Sequence, residues 1–215
     1  MHYSKDLSLT SLCIGIIASV SLIFFGNKKS LSSNKTIGYY FLFITLMQLV
    51  EYLLWIDIEC TNGLNKVGAL LGPILNHTQP IILFLLTYIY LDSTNTFSLN
   101  AVIPINILYF IYICHQYYKY ISDSSNLCIK RDKNGYLNNT WKHDFSYVLY
   151  FLITYINLSN HYNNINLMIT FTISHLLLII SICYVDKNID EYWFLIATGV
   201  PFANLLAETI FSIDN

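Results

Sequence analysis

Long stretches of Ile, Leu, Phe and Tyr with very few charged residues recur along the chain and constrain its fold more than any other feature. A membrane helix needs about 20 mostly apolar residues, whereas a membrane strand needs about 10 that alternate with polar ones. The stretches here are continuous, and a helix satisfies its backbone groups within one segment. The pattern therefore predicts an all-α fold, a polytopic transmembrane helical bundle.

The composition agrees with a membrane location. Of the 215 residues, 55% are hydrophobic and 11% are charged, against roughly 25% charged residues in an ordinary soluble domain. So few charges exclude a soluble globular enzyme and a disordered chain. The net charge of −2 offers no basic field for nucleic acid, so the lipid bilayer is the expected partner.

Seven segments have the length of a membrane crossing, so residues 1–215 are predicted to form a single transmembrane helical domain. The third segment is long enough to be tilted or broken. The first has no cleavage site after its apolar core, so we expect it to be retained. The predicted spans are Leu9–Phe25, Ile37–Ile56, Lys66–Leu91, Leu99–Tyr118, Asp144–Leu158, Ile165–Val185 and Tyr192–Phe211.

Small residues recur at every fourth position of the first span, at Ser11, Gly15 and Ser19. Such a stripe allows the backbone of another helix to approach closely. We therefore expect the first span to pack tightly along this face.

The charges that flank the spans disagree about orientation. With seven spans, more lysines and arginines lie on the N-terminal side, which favours a cytoplasmic N-terminus. The first span alone, with Lys5 before it and Lys28 and Lys29 after it, favours the reverse. In the reversed chain, Cys60 and Cys128 would share an oxidising compartment where a disulfide could form.

Two N-glycosylation sequons that lie outside the predicted spans offer an independent marker of orientation. They begin at Asn34 (Asn-Lys-Thr) and at Asn138 (Asn-Asn-Thr), and both are expected in loops, on opposite faces of the membrane. The sequon that is modified would identify the lumenal side.

A polar stripe marks the second span. Gln48, Glu51, Tyr52 and Trp55 are spaced i, i+3, i+4 and i+7, which places them on one helical face. Because an ionisable group within the membrane is costly, the stripe is expected to face the bundle interior. A contact with an ion, proton or substrate and a structural hydrogen-bond clamp are both open interpretations.

The middle of the third span is unusually polar. Between Pro73 and Pro80 lie Asn76, His77 and Gln79. One interpretation is a broken helix lined by protein or water, which often forms a binding site in transporters. The alternative is a kink whose polar groups satisfy one another. Because a short loop joins the second and third spans, His77 and Glu51 could lie at a similar depth in the membrane. We therefore hypothesise that His77 approaches Glu51.

The last span carries Asn204 and Glu208, four residues apart, with Pro201 upstream to favour a kink. Glu208 lies near the end of its span. It can be interpreted either as a carboxylate at the membrane interface or as a functional carboxylate. The spacing Pro-x-x-Asn occurs at Pro73 and again at Pro201, as expected for parallel repeats in a 3+1+3 bundle of the SWEET transporter type.

Familiar catalytic and metal motifs are absent from the sequence. The five cysteines form no CxxC pair, and neither HExxH nor GxSxG nor a P-loop occurs. We therefore expect no metal and no cofactor, and an enzyme is less favoured than a non-enzyme. An intramembrane metallohydrolase built from His77, His175, Glu51 and Glu208 stays open as a minor alternative.

One spaced pattern resembles a known family. Gln48-x-x-Glu51-Tyr52-x-x-Trp55 is followed by Cys60, Leu64-Asn65-Lys66 and Gln79-Pro80. In these residues the chain resembles uncharacterised multi-pass membrane proteins encoded by giant DNA viruses of the mimivirus kind. The resemblance covers the second and third spans, and it implies a viral origin and a membrane location but no activity.

The leading hypothesis is a binding or structural role in a viral or host membrane, with a polar cluster on the second, third and seventh spans. A small transporter or channel for a solute or ion is the second hypothesis, an intramembrane enzyme is the third, and a homo-oligomer stays open. The candidate site residues are Gln48, Glu51, Tyr52, Trp55, Asn76, His77, Gln79, Asn204 and Glu208.

Overall fold

A computed structural model describes residues 4–91, 96–131, 137–138, 146–159, 161, 163–184 and 197–211, with only the backbone of 96–99, 178–184 and 209–211. Regular secondary structure in these residues is entirely helical, apart from one isolated antiparallel bridge between Arg131 and Leu137. This confirms the predicted all-α class. The helices are α1 (Lys5–Phe25), α2 (Leu31–Ile56), α3 (Leu64–His77), α4 (Gln79–Tyr90), α5 (Thr96–Ser122), α6 (Tyr147–Ser159), α7 (Ile165–Tyr184) and α8 (Val200–Phe211), with 3₁₀ turns at Lys28–Ser30 and Ser124–Leu127.

Length and composition qualify only some of these helices as membrane crossings. Within the described residues, Lys5–Phe25 and Lys28–Ile56 are each long and apolar enough. The pair α3 and α4 also qualifies, bent by 52° between its halves, so the third segment is interrupted where the sequence left a break and a kink open. Tyr147–Ser159 and Ile165–Leu177 are apolar but shorter. The described helices thus show two or three of the seven expected crossings.

Many large apolar side chains are exposed and several polar side chains are buried, although the core itself is mostly apolar. Phe24, Phe25 and Val148 are 73%, 78% and 77% exposed, whereas Gln48 and Gln79 are 0% exposed. In water this distribution would leave large apolar side chains hydrated and bury amides at a cost. It is the distribution expected when hydrocarbon surrounds the bundle.

Helices α1 and α2 form the most intimate pair of the bundle. The stripe of Ser11, Gly15 and Ser19 is buried, as the sequence predicts. A Cβ atom added at Gly38 of α2 would lie 3.1 Å from the Ser19 carbonyl oxygen, and one added at Gly15 would overlap the Thr45 side chain. The missing side chains therefore allow the two backbones to approach.

Helix α2 lies at the centre of the bundle, where it contacts α1, α3, α4, α7 and α8. It begins at Leu31, six residues before the predicted span. Asn34 therefore lies within a helix and is 2% exposed, which corrects the expectation of a sequon in a loop. The longer helix is stabilised locally because the Asn34 amide donates to the Asn27 carbonyl at 3.3 Å.

Candidate functional site

The backbone hydrogen bonds of α3 end at Thr78, and those of α4 begin there. The Thr78 N–H closes α3 by donating to the Ile74 carbonyl at 3.0 Å. The N–H groups of Ile81 and Ile82 then both donate to the Thr78 carbonyl, each at 3.0 Å, and this opens α4. Because Pro80 has no N–H, the regular helical ladder cannot continue through this point.

Side chains of neighbouring helices form hydrogen bonds with polar groups at the break. The Tyr109 hydroxyl of α5 donates to the His77 carbonyl at 3.1 Å. The Tyr150 hydroxyl of α6 donates to Gln79 Oε1 at 2.6 Å, and the Tyr40 hydroxyl of α2 lies 3.5 Å from that of Tyr150. Helices α5 and α6 therefore bond to the break directly, and α2 contacts it through Tyr150.

A pair of asparagines extends this arrangement towards the end of α6. Asn106 Nδ2 donates to Asn157 Oδ1 at 2.7 Å, and Asn157 Nδ2 donates to Asn106 Oδ1 at 3.2 Å. Asn157 Nδ2 also donates to the Pro80 carbonyl at 2.8 Å. We call the set that surrounds the break the helix-break cluster. Its members are Tyr40, His77, Gln79, Asn106, Tyr109, Tyr150 and Asn157.

The polar stripe of α2 lies at a different level from the break. Gln48 and Glu51 are 0% and 1% exposed, and Tyr52 is half-buried. A Cβ atom at Gly68 would lie 3.2 Å from the Val50 carbonyl, so Gly68 faces α2 at the level of Glu51. His77 follows Gly68 by nine residues, a rise of about 13 Å. This register does not place the His77 backbone opposite Glu51.

At the end of α2, one carboxylate organises the short connection to α3. Asp57 Oδ1 accepts from the N–H groups of Thr61 at 2.8 Å and Asn62 at 2.9 Å, and Asp57 Oδ2 accepts from that of Asn65 at 3.0 Å. The N–H donations from Asn62 and then Asn65 hold the pKa of this carboxyl below its ordinary value. Gly63, with φ of 79°, allows the tight turn before α3.

The long connection after α5 is anchored to this turn rather than free. Asn65 Nδ2 donates to the Ile129 carbonyl, and the Ile129 N–H donates to Asn65 Oδ1, both at 2.8 Å. A disulfide joins Cys60 to Cys128. The Arg131 guanidinium lies 4.8 Å from the centre of the Trp55 ring. These contacts, the loop anchor, bind two connections that are distant in sequence.

Glu208 lies at the opposite end of α2. Glu208 Oε2 accepts from the Asn27 N–H at 2.8 Å and from Asn34 Nδ2 at 3.0 Å. Asn34 precedes Glu51 by 17 residues of one helix, or about 25 Å of rise. Asn204, one turn before Glu208, accepts a bond from the Thr170 hydroxyl at 2.8 Å.

The predicted site residues therefore fall into three groups. Gln48, Glu51, Tyr52 and Trp55 lie towards the loop anchor, and Asn76, His77 and Gln79 lie at the helix break. Asn204 and Glu208 line a cavity of about 470 Å³ near the α1–α2 turn. Gln48, Glu51 and His77 line none of the three cavities found between α7, α8 and this turn.

Sequence reasoning missed most members of the helix-break cluster. In a chain with 18 tyrosines, Tyr109 and Tyr150 look like ordinary residues of an apolar span, and Tyr40 looks like an aromatic residue at the membrane interface. Asn106 and Asn157 carried the better signal, since a buried amide within a span needs a partner. Their pairing could not be recognised because 51 residues separate them.

The described residues place no three His, Cys, Asp or Glu side chains where they could share a metal ion. His175, buried on α7, is 2.6 Å from the Phe171 carbonyl through Nδ1, as expected for a histidine satisfied within a core. Cys13 and Cys114 are free and exposed. Cys183 lies where only the backbone is described.

Comparison of this chain with protein-family models, with curated proteins and with solved structures gave no match.

Proposed function

We propose that the protein is a seven-span integral membrane protein whose role is binding or structural rather than the passage of a solute. The spans would be α1, α2, the bent pair α3 and α4, and then α5, α6, α7 and α8. The exposed apolar side chains support this topology, because they extend to Ile107 and Leu108 of α5 and Ile173 of α7.

The hydrogen bonds of the helix-break cluster favour a binding or structural role over the passage of a solute. The amides of Asn106 and Asn157 and the three tyrosine hydroxyls are each bonded to another helix or to the break itself. Gln79 accepts from Tyr150 through Oε1, whereas its buried Nε2 has no hydrogen-bond partner among the described residues. Tyr40, Tyr109 and Tyr150 are 2%, 4% and 3% exposed. Groups that satisfy one another in a closed interior act as a clamp between helices.

A flux assay tests this role. Purified protein in liposomes should give no proton leak and no uptake of labelled glucose beyond that of protein-free liposomes. Glu51→Gln should leave both signals unchanged. Leak or uptake that requires Glu51 would overturn the proposal.

A transporter or channel is the second candidate, because one observation favours it. The 52° bend divides a span into two half-helices, as in transporters that bind substrate at a break. The same assay separates the candidates, since transport would depend on the residues that flank the bend. Gln79→Leu should then abolish uptake, whereas the clamp predicts only lower stability.

We propose a viral origin on the resemblance alone. Its support is the spaced pattern from Gln48 to Pro80, whose residues Trp55, Cys60 and Asn65 belong to the loop anchor. The detection of this chain in membranes of infected host cells or of purified virions, by mass spectrometry of its peptides, would test that origin.

We also propose that the N-terminus and the loop anchor face an oxidising compartment. The count of basic residues favours the reverse orientation, but disulfides persist in oxidising compartments and are rare in the cytosol. The Cys60–Cys128 disulfide therefore outweighs a charge difference that the first span itself contradicts. The proposed orientation is therefore opposite to the one that the count of lysines and arginines favours.

Glycan attachment tests the orientation. Asn138 is exposed on the side of the loop anchor, whereas Asn34 is buried in α2. Expression in eukaryotic cells should give a glycosidase-sensitive mass increase that Asn138→Gln abolishes and Asn34→Gln does not. A chain that carries no glycan at Asn138, but accepts one at a sequon added after Ser159, would have the opposite orientation.

A further inference from the structure

Two of the cavities lie along one groove between α7 and α8. The cavity that Glu208 lines has a volume of about 470 Å³, and its neighbour has a volume of about 330 Å³. The two cavities share four lining residues, so they lie side by side between the same two helices. These shared residues are Ile169, Thr170, Asn204 and Ala207.

One part of the groove is apolar and runs along the helices. It is lined by Ile173 and Leu177 of α7 and by Val200 and Ala203 of α8. From Asn166 at the polar end to Leu177 there are eleven residues, a rise of about 17 Å. This depth is close to one leaflet, half of a hydrocarbon core of about 30 Å.

The other part of the groove is polar and contains both signs of charge. Glu208 and Lys29 line it together with the amides of Asn34 and Asn166. Both bonds that fix the Glu208 carboxylate, from the Asn27 N–H and Asn34 Nδ2, end on Oε2. Oε1 takes part in neither bond, so it can accept one from a ligand in the cavity.

We propose that this groove binds one phospholipid with a primary-amine headgroup, phosphatidylethanolamine. An acyl chain would lie along Ile173 and Ala203, the phosphate would lie near Lys29, and the ammonium would donate to Glu208. The inference rests on the proposed crossing of the membrane by α7 and α8.

Charge and hydrogen bonding select this headgroup. A zwitterionic lipid supplies an anion for Lys29 and a cation for Glu208, whereas an anionic lipid such as phosphatidylglycerol would place no cation at the carboxylate. Phosphatidylcholine carries the same charges, but its quaternary ammonium has no N–H to donate. A charge-assisted hydrogen bond therefore distinguishes the two zwitterionic lipids.

Native mass spectrometry can test the proposal directly. The full-length protein is reconstituted in an equimolar mixture of phosphatidylethanolamine, phosphatidylcholine and phosphatidylglycerol, extracted in mild detergent, and the retained lipid is identified. We expect one retained phosphatidylethanolamine, preferred over phosphatidylcholine by about fivefold, as one solvent-accessible charged hydrogen bond provides.

Matched variants separate the groove from general lipid adhesion. Ala203→Phe fills the apolar part and should abolish retention, whereas Ala101→Phe makes the same change at an exposed position of α5. Lys29→Gln should lower the preference for zwitterionic lipid, and Lys28→Gln is its control, because Lys28 does not line the groove. Glu208→Gln should remove the preference for the primary amine over choline.

Each outcome decides the proposal. Equal retention of all three lipids, or retention that Ala203→Phe leaves unchanged, would mean surface-bound lipid only and would overturn it. Extraction with alkaline carbonate is run on the same membranes. A chain stripped by carbonate would contradict the seven-span topology and the groove together, whereas a carbonate-resistant chain without lipid preference would contradict the groove alone.

Discussion

Asn65 shows how much one buried amide can organise. It is 0% exposed, and its side chain donates to the Leu54 and Ile129 carbonyls and accepts from the Ile129 N–H. The side chain thus provides for the Ile129 backbone the pair of bonds that a neighbouring strand would provide. Without it, buried backbone groups of the long connection would lack partners.

We predict that Asn65→Ala lowers the stability of the protein by about 2–4 kcal/mol, because it leaves the Ile129 N–H and carbonyl buried without their bonds. Asn62→Ala is the control, since Asn62 is exposed and contributes only its backbone N–H to Asp57. Unfolding in mild detergent by increasing SDS, followed by tryptophan fluorescence, measures both variants. Equal stability of the two would contradict this role for the Asn65 side chain.

Asp57 makes the loop anchor sensitive to acid. Backbone N–H donations, first from Asn62 and then from Asn65, hold its pKa below the ordinary value of 3.8. A carboxyl that is more acidic when folded contributes stability above its unfolded pKa and loses it as the pH falls through the folded pKa. We therefore predict that the anchor loosens in the region below pH 3.8.

The rate at which a phosphine reduces the Cys60–Cys128 disulfide reports this loosening. Between about pH 6 and pH 3, the rate for the natural protein should rise relative to the rate for Asp57→Asn, whose side chain does not titrate. The variant corrects for the pH dependence of the phosphine itself. A constant ratio of the two rates would show that the carboxylate does not hold the anchor.

At the scale of elements, the bend between α3 and α4 depends on its neighbours as well as on Pro80. The proline prevents a regular ladder, but Tyr109 and Asn157 from α5 and α6 hold the carbonyls on either side. In hydrocarbon an unpaired carbonyl has no water to bond. Helices α5 and α6 therefore stabilise a geometry that the proline only permits.

We predict that Tyr109→Phe destabilises the protein by about 1–2 kcal/mol, because it leaves the His77 carbonyl without its hydroxyl partner. Tyr118→Phe removes a hydroxyl from a side chain that is 68% exposed on the same helix, and it should have little effect. Thermal unfolding in detergent micelles, monitored by circular dichroism, compares them. A larger loss for Tyr118→Phe than for Tyr109→Phe would argue against a cap at the break.

At the scale of the whole molecule, contacts distant in sequence join the two ends of the bundle. At one end, the loop anchor links the α2–α3 connection to the residues after α5. At the other end, Glu208 of α8 binds the α1–α2 turn through Asn27 and Asn34, up to 181 residues away in the chain. α2 passes between these two fixed points, which is why it contacts most of the other helices.

We predict that replacing both Cys60 and Cys128 by Ser lowers stability by about 1–2 kcal/mol. The disulfide spans 68 residues, for which chain entropy alone gives about 4 kcal/mol. On the proposed topology, helices held in a membrane already restrict the unfolded chain, so the expected loss is smaller. Replacing the exposed free thiols of Cys13 and Cys114 by Ser is the matched control. If both double variants unfold at the same temperature, the disulfide does not stabilise the anchor.

Sequence alone determined the features that depend on local pattern. Continuous apolar runs predicted the helical class, the stripe of Ser11, Gly15 and Ser19 predicted the tight face of α1, and Pro80 predicted an interruption of the third span. Each follows from the spacing of residues within one helix, where the period of 3.6 residues relates sequence to position.

Tertiary structure decided which polar groups meet, because packing between helices has no local signature in the sequence. Gln48 to Trp55 and Glu208 look alike as polar residues in apolar spans, yet they lie near opposite ends of α2. Asn106 and Asn157 form a pair that spacing could not predict, and Asn65 binds Ile129 across 64 residues. Partners so far apart are chosen by the register of neighbouring helices, and that register is set only when the whole bundle closes.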